Sequence, residues 1–151
     1  MIKIICIGKL KEKYLKAAIE EYEKRLKKYT TIQIIELQDE AFYDVEKIKS
    51  MEGEKIEKYI HQKDYVITLE IEGTQLTSEN FAEKLQNIYL ENSNIDFIIG
   101  GSYGLSDNIK NRSNLKLSFS KMTFPHQLFR VILLEQIYRA YKINNNEKYH
   151  K

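Results

Sequence analysis

Proline and cysteine are nearly missing from this chain of 151 residues, which holds one of each, and glycine occurs only six times. A single cysteine excludes an internal disulfide. Cys6, inside the apolar run Ile2–Ile7, reads as a small buried core residue in a reducing compartment. So little proline and glycine argues against linkers, collagen-like stretches and a many-turned β sandwich. No apolar run approaches the roughly 18 residues of a membrane span. Met1–Lys11 lacks the long apolar stretch and small-residue cleavage site of a secretory leader. The expected location is the cytoplasm, with no membrane partner.

Motifs are missing too. Gly8 is followed by Lys-Leu-Lys-Glu, so the first strand carries no GxGxxG dinucleotide fingerprint. There is no GxxxxGK[ST] phosphate loop and no GxSxG elbow. His61, His126 and His150 form no HExxH or closely spaced pair, and one cysteine cannot build a zinc cluster, so no metal is expected.

What is present is ordinary globular composition, 42% hydrophobic and 30% charged, at the length of one domain, residues 1–151. Charge is uneven. Residues 1–109 hold 15 Lys/Arg against 20 Asp/Glu, whereas residues 110–151 hold 9 against 2. A basic C-terminal third suits a phosphate-bearing partner, because Lys and Arg release counterions when they neutralise phosphates; a solvated basic surface is the plainer alternative.

Hydrophobic spacing alternates between period two and period 3.6. Strands are expected at Ile2–Gly8, Ile32–Leu37, Tyr65–Ile71, Ile95–Ile99 and Leu115–Phe119. Helices are expected at Lys11–Tyr29, Asp44–Gln62, from Thr77 or Ser78 to about Glu91, and at His126–Tyr141. Gly73 marks a turn and Gly53 a tolerated interruption. This order predicts an α/β fold, a mainly parallel sheet flanked by helices on both faces. Ligands in such sheets bind at the carboxyl ends of strands. The connections after Leu69–Ile71, Ile99 and Phe119 are therefore where chemistry is sought.

Four segments carry information. In Ile98-Ile-Gly-Gly-Ser-Tyr-Gly-Leu105 a buried strand ends in glycines that let a ligand approach the backbone. In Leu117-Ser-Phe-Ser-Lys-Met-Thr-Phe-Pro-His126 a strand opens into a small polar loop, with Thr123 placed to cap the helix and Pro125 in its first turn. The last helix is apolar almost all round (Leu128, Phe129, Val131, Ile132, Leu133, Leu134, Ile137), which predicts burial on two sides, one against a second subunit. It also carries two i, i+4 pairs, His126 with Arg130 and Glu135 with Arg139. The tail Asn144–Lys151 ends in Tyr149, His150 and Lys151, groups able to stack on a base and contact a phosphate.

These segments, in this order and at this length, resemble the RlmH type of SPOUT methyltransferase. The likeness runs from Gly8-Lys-Leu-Lys-Glu-Lys-Tyr14 through Leu69-Glu-Ile-Glu-Gly73, Ser78-Glu-Asn-Phe-Ala82 and Phe97–Leu105 to Leu117–His126, Glu135–Ala140 and Tyr149-His150. The resemblance implies an α/β knot, a deep trefoil in which the C-terminal part threads a loop to form the S-adenosylmethionine pocket. It implies a homodimer packed through the last helix, acting in the assembled ribosome on N3 of a pseudouridine in 23S ribosomal RNA. It places the cofactor, with S-adenosylhomocysteine as product, against Leu69, Gly100 and Phe119, Ser120, Lys121, Met122, Thr123 and Phe124. It places the RNA across the dimer, near Arg130, Glu135, Tyr149 and Lys151. Three groups are candidates for handling the N3 proton: His126, His150 and the cation of Arg139. Asn146 stands where the family often has glycine, and it tolerates the left-handed turn that folds the tail back. A non-catalytic RNA- or ribosome-binding protein and an α/β nucleotide-binding domain are the alternative readings.

Overall fold

The period-two alternation decides the layers. In a computed structural model, which describes residues 1–150, β1 (Ile2–Ile7) sends Ile2, Ile4 and Cys6 to one face of the sheet and Ile5 and Ile7 to the other. β4 (Ile95–Ile99) divides in the same way, with Ile95, Phe97 and Ile99 on the first face and Ile98 on the second. Between them in the sequence lie β2 (Ile32–Leu37) and β3 (Tyr65–Gln75), and β5 (Leu115–Ser118) follows. The five strands are all parallel, in the order β2-β1-β4-β3-β5.

The helices are α1 (Lys13–Leu26), α2 (Val45–Glu57), α3 (Ser78–Ile88), α4 (Asp107–Arg112) and α5 (His126–Asn144). α1, α3 and α5 cover the first face, and α5 packs against both of the others. α2 and α4 cover the second, with Ile56, Leu105 and Ile109 in the smaller core. Three starts are capped by side chains: Asp44 accepts from Glu46 N, Thr77 from Asn80 N and Ser106 from Ile109 N. Cys6 is fully buried, and its thiol is pushed up to about 11 mainly by that burial.

Two local expectations are corrected. Gly73 does not end β3. The strand runs on to Gln75 across a register shift in which Leu69 and Thr74 both face Leu117 of β5. Gly73 is required there by crowding, since a Cβ would come within 2.7 Å of the Lys116 carbonyl. Thr123 does not cap α5. Pro125 is the cap residue itself rather than the first-turn residue expected, and its ring offers no acceptor to the first-turn N–H groups. No helix is long and apolar enough to cross a membrane among the described residues.

Candidate functional site

The irregularity in β3 opens the sheet at its carboxyl end. The excursion Glu70–Glu72, the loop after β4 and the connection from β5 to α5 together line a cavity of about 580 Å³, within the range of small-molecule and cofactor sites. Its walls mix apolar side chains (Leu69, Ile99, Leu105, Leu117, Phe119, Phe124) with backbone and polar groups. Phe119 meets Phe129 of α5 edge-on and Phe124 stacks on it, at 5.0 and 5.7 Å between ring centroids, which fixes that wall.

The glycine loop after β4 is tightly made. Gly104 N donates to Gly101 O at 3.1 Å, and Gly104 takes φ +86°. A Cβ on Gly100 would meet Gly104 and Leu105 at 3.0 Å, so this position is closed to side chains. Behind the loop, α2 presents Glu52 and Gly53. Glu52 is 4% exposed, and its Oε2 accepts the Glu40 N–H at 3.0 Å. Gly53 lets α2 approach Ser106, the cap of α4.

Of the residues expected to hold the cofactor, Leu69, Gly100, Phe119, Ser120, Met122, Thr123 and Phe124 line the cavity, while Lys121 is exposed outside its lining. Glu70, Glu72, Leu105 and Lys110 also line it. Glu70, Glu72 and Leu105 lie in segments the sequence singled out, whereas Lys110 was hidden because α4 has no hydrophobic period of its own.

His126 lines the cavity as well, and burial, with Arg130 nearby, lowers its pKa below the usual histidine range. Arg130 is 1% exposed. Its guanidinium donates to Glu36 Oε2 at 2.7 Å, to Gly8 O at 2.7 Å and to Ile7 O at 3.1 Å. That placement spends the side chain inside the protein, bracing the left-handed turn at Gly8 (φ +97°), and leaves no surface for RNA in this chain.

The remaining candidates form a second group. Asn146 takes φ +55° and turns the tail back on α5. Tyr149 packs edge-on against Tyr138 at 4.9 Å, under the Arg139 guanidinium at 4.8 Å. Glu135 Oε1 accepts from Arg139 Nε at 3.0 Å and from the Tyr149 hydroxyl at 3.1 Å. His150 Nδ1 lies 3.1 Å from Arg139 Nη1, and Nε2 lies 2.6 Å from Glu79 Oε1. Arginine can only donate, so Nδ1 accepts and Nε2 carries the proton toward Glu79. Lys151 falls outside the described residues.

His126 and Arg139 are 13 residues apart on one helix, about 20 Å at 1.5 Å per residue. Within one chain, the cavity group and the tail group do not share a reaction centre.

Fold and cavity thus define a parallel α/β protein with room for a small ligand at the carboxyl end of its sheet. Comparison with known proteins gives the family: a model described as "Predicted SPOUT methyltransferase" matches residues 1–150, and the chain belongs to the SPOUT methyltransferase family. It is 57% identical over 157 aligned positions to the Ribosomal RNA large subunit methyltransferase H of Clostridium novyi (strain NT), with 99% of each chain covered. It is 51% identical to the protein of that name from Caldicellulosiruptor saccharolyticus, with 100% of both covered. Among solved structures, a probable methylase family protein from Haemophilus influenzae Rd KW20 superposes with a TM-score of 0.56 at 15% identity, covering 99% of this chain and 70% of that one. That likeness concerns the fold alone.

Proposed function

We propose that the protein methylates N3 of a pseudouridine in large-subunit ribosomal RNA, using S-adenosylmethionine and working as a homodimer on the assembled ribosome. The observation that carries this reading is the end-to-end similarity to relatives named as large-subunit rRNA methyltransferases. The cavity agrees with it. Phe119, Phe124 and Leu69 suit an adenine ring, Gly100 admits a ligand against the backbone, and Glu70 and Glu72 suit the cationic end. The family's knotted path of the C-terminal part belongs to the same reading.

When bound, the cofactor supplies an activated methyl group. The chain's own residues do the rest. The cavity walls fix the orientation of the methyl donor, and most of the rate comes from that positioning. N3 of the base carries a proton that must leave. His126 stands on the cavity lining with a lowered pKa, so it is neutral and able to accept that proton near pH 7. Arg139, held by Glu135 and Tyr149, and His150 belong to the RNA-binding group. Arg139 stands 13 residues from His126 along α5, so in this reading the partner subunit brings its tail group to this cavity. The strip of exposed Leu128 with half-buried Val131 and Ile132 on α5 is the face available for that pairing.

The test is thermal unfolding with S-adenosylmethionine, S-adenosylhomocysteine, NAD and ATP in parallel, followed by labelled-methyl transfer to ribosomes. A ligand at about 100 times its dissociation constant adds about 2.7 kcal/mol, so the two S-adenosyl compounds alone should raise Tm. No shift with either, and no transfer to ribosomes, would sink the reading. His126→Ala is expected to lower methyl transfer by about 10²- to 10⁴-fold while S-adenosylhomocysteine still binds.

A further inference from the structure

Glu52 has a use that the cavity lining does not reveal. It sits on α2, behind the glycine loop, and is 4% exposed. One carboxylate oxygen is accounted for: Oε2 accepts the Glu40 N–H at 3.0 Å. The other, Oε1, is buried with no hydrogen-bond partner. It is aimed at the loop, since a Cβ on Gly101 would lie 3.0 Å from Oε1 and 3.4 Å from Oε2. Gly101 is one of the residues lining the cavity. A buried carboxylate oxygen left unpaired is costly. Burial accordingly raises the Glu52 pKa, helped by Asp39 and Glu40 and opposed by the Glu40 N–H and Lys55.

We propose that Glu52 is a positioning residue for the cofactor loop, whose free Oε1 accepts a backbone N–H of the Gly101–Ser102 segment when the loop settles on its ligand. The carboxylate then takes two N–H groups, one from the connection between β2 and α2 and one from the loop. Gly101 has no side chain because one would stand between loop and carboxylate. Gly53, next along α2, admits Ser106 at the loop's far end, so α2 backs the loop at both of its ends. This inference rests on S-adenosyl compounds being the ligand of the cavity.

Glutamine separates this role from a merely structural one. It offers one acceptor and one NH2 group, so it can serve Glu40 or the loop, but not both. If Oε1 instead carried a proton and donated to a carbonyl, glutamine would replace it without loss. Wild type and Glu52→Gln are compared by calorimetry with S-adenosylhomocysteine. Amide hydrogen exchange at Gly101 and Ser102 is followed with and without that ligand. Expected are affinity weaker by about tenfold in Glu52→Gln and ligand-induced protection of one of these amides in wild type that the variant lacks. Equal affinity in the two proteins overturns the proposal, as does wild-type exchange that the ligand leaves unchanged. If Glu52→Gln does not fold, wild-type exchange alone decides. Wild type that fails to bind S-adenosylhomocysteine overturns the cofactor reading and this inference together, whereas binding with equal affinities overturns this one alone.

Discussion

Two clusters of charged side chains in this chain use the same chemistry for different ends. In the first, Lys3 on β1 reaches Asp64 Oδ2 at 2.8 Å and Asp96 Oδ2 at 3.4 Å, with side-chain exposures of 4%, 2% and 0%. Lys3 also donates to Tyr59 O, and Asp64 accepts from His61 N and Asn94 Nδ2. In the second, Arg139 joins Glu135 at side-chain exposures of 24% and 19%, and the tail residues Tyr149 and His150 close over them. The first lies at the amino ends of the central strands, where Lys3 and Asp96 are register partners across β1 and β4. The second is assembled by the fold-back of the last residues at Asn146. Burial makes the first a determinant of stability, whereas the second stays partly open to solvent. A buried charge that loses its partner is expensive, and an exposed pair is worth little.

The sharpest way to break this contrast is Lys3→Met. It leaves two carboxylates buried together and should cost about 3–5 kcal/mol, a Tm loss of roughly 10 °C for a domain of this size. S-adenosylhomocysteine binding to the folded fraction should be unchanged. A Tm within 2 °C of wild type, an allowance of under about 1 kcal/mol, would show that the cluster does not hold the strands.

Asp96→Asn tests the same cluster through pH. Burial and the neighbouring Asp64 push the Asp96 carboxyl up to about 7. Asp64 itself, despite burial, is held down to about 2 by Lys3, the His61 N–H and Asn94. A raised carboxyl pKa means that the folded state keeps a proton which the unfolded state has released. The stability it contributes is full below the unfolded value near 3.8 and is lost as pH rises through about 7. Asparagine has no proton to lose. Relative to wild type, the variant should gain stability with rising pH, by at most about 1.4 kcal/mol per pH unit between roughly pH 4 and 7. Chemical unfolding at pH 5 and pH 8 measures it, and parallel curves would place the Asp96 titration outside this window.

The second cluster showed in the sequence as the Glu135/Arg139 pair and the Tyr149-His150 tail; the first did not, and the reason is register. Lys3 and Asp96 interrupt the apolar runs IKIICI and IDFII as ordinary polar positions. Only the pairing of β1 with β4 puts them side by side. What spacing could show was the strand framework. The bounds expected for β2 and β4 agree with the structure, and β1 and β5 differ by a residue at one end. The three strand-end connections singled out from the sequence are the ones that line the cavity. Spacing failed where a close contact overrode local pattern. Gly73 looked like a turn because strand interiors avoid glycine, yet the crowding of Lys116 requires it inside β3. Arg130 looked like a surface cation on a helix face, yet the turn at Gly8 supplies carbonyls that draw it inside.

A smaller effect tests how the second cluster is put together. Asn146→Ala places a Cβ-bearing residue without asparagine's tolerance at φ +55°, at a cost of about 1 kcal/mol. Its main consequence should be local. Amide exchange at Tyr149 and His150 should speed up while β1 and β4 stay protected. Equal loosening of the strands would mean that the tail is part of the global fold and would erase the contrast.

The smallest effect on stability, and the most informative about function, is expected from Arg139→Lys. Lysine keeps the charge but cannot hold Glu135 through two nitrogens, stack over Tyr149 and reach His150 together. Because the pair is partly exposed, the stability cost should stay below about 1 kcal/mol, seen as a Tm shift of no more than about 4 °C. Methyl transfer to ribosomes should nevertheless fall by at least about tenfold, with S-adenosylhomocysteine affinity unchanged, because the planar fork that orders the tail is gone. A variant that loses as much stability as Lys3→Met would make Arg139 a second structural anchor. A variant with wild-type transfer rates would detach the tail cluster from the reaction. Small stability cost with large transfer cost is the pattern that a ligand-facing cluster must give, and it is the reverse of the pattern expected at Lys3.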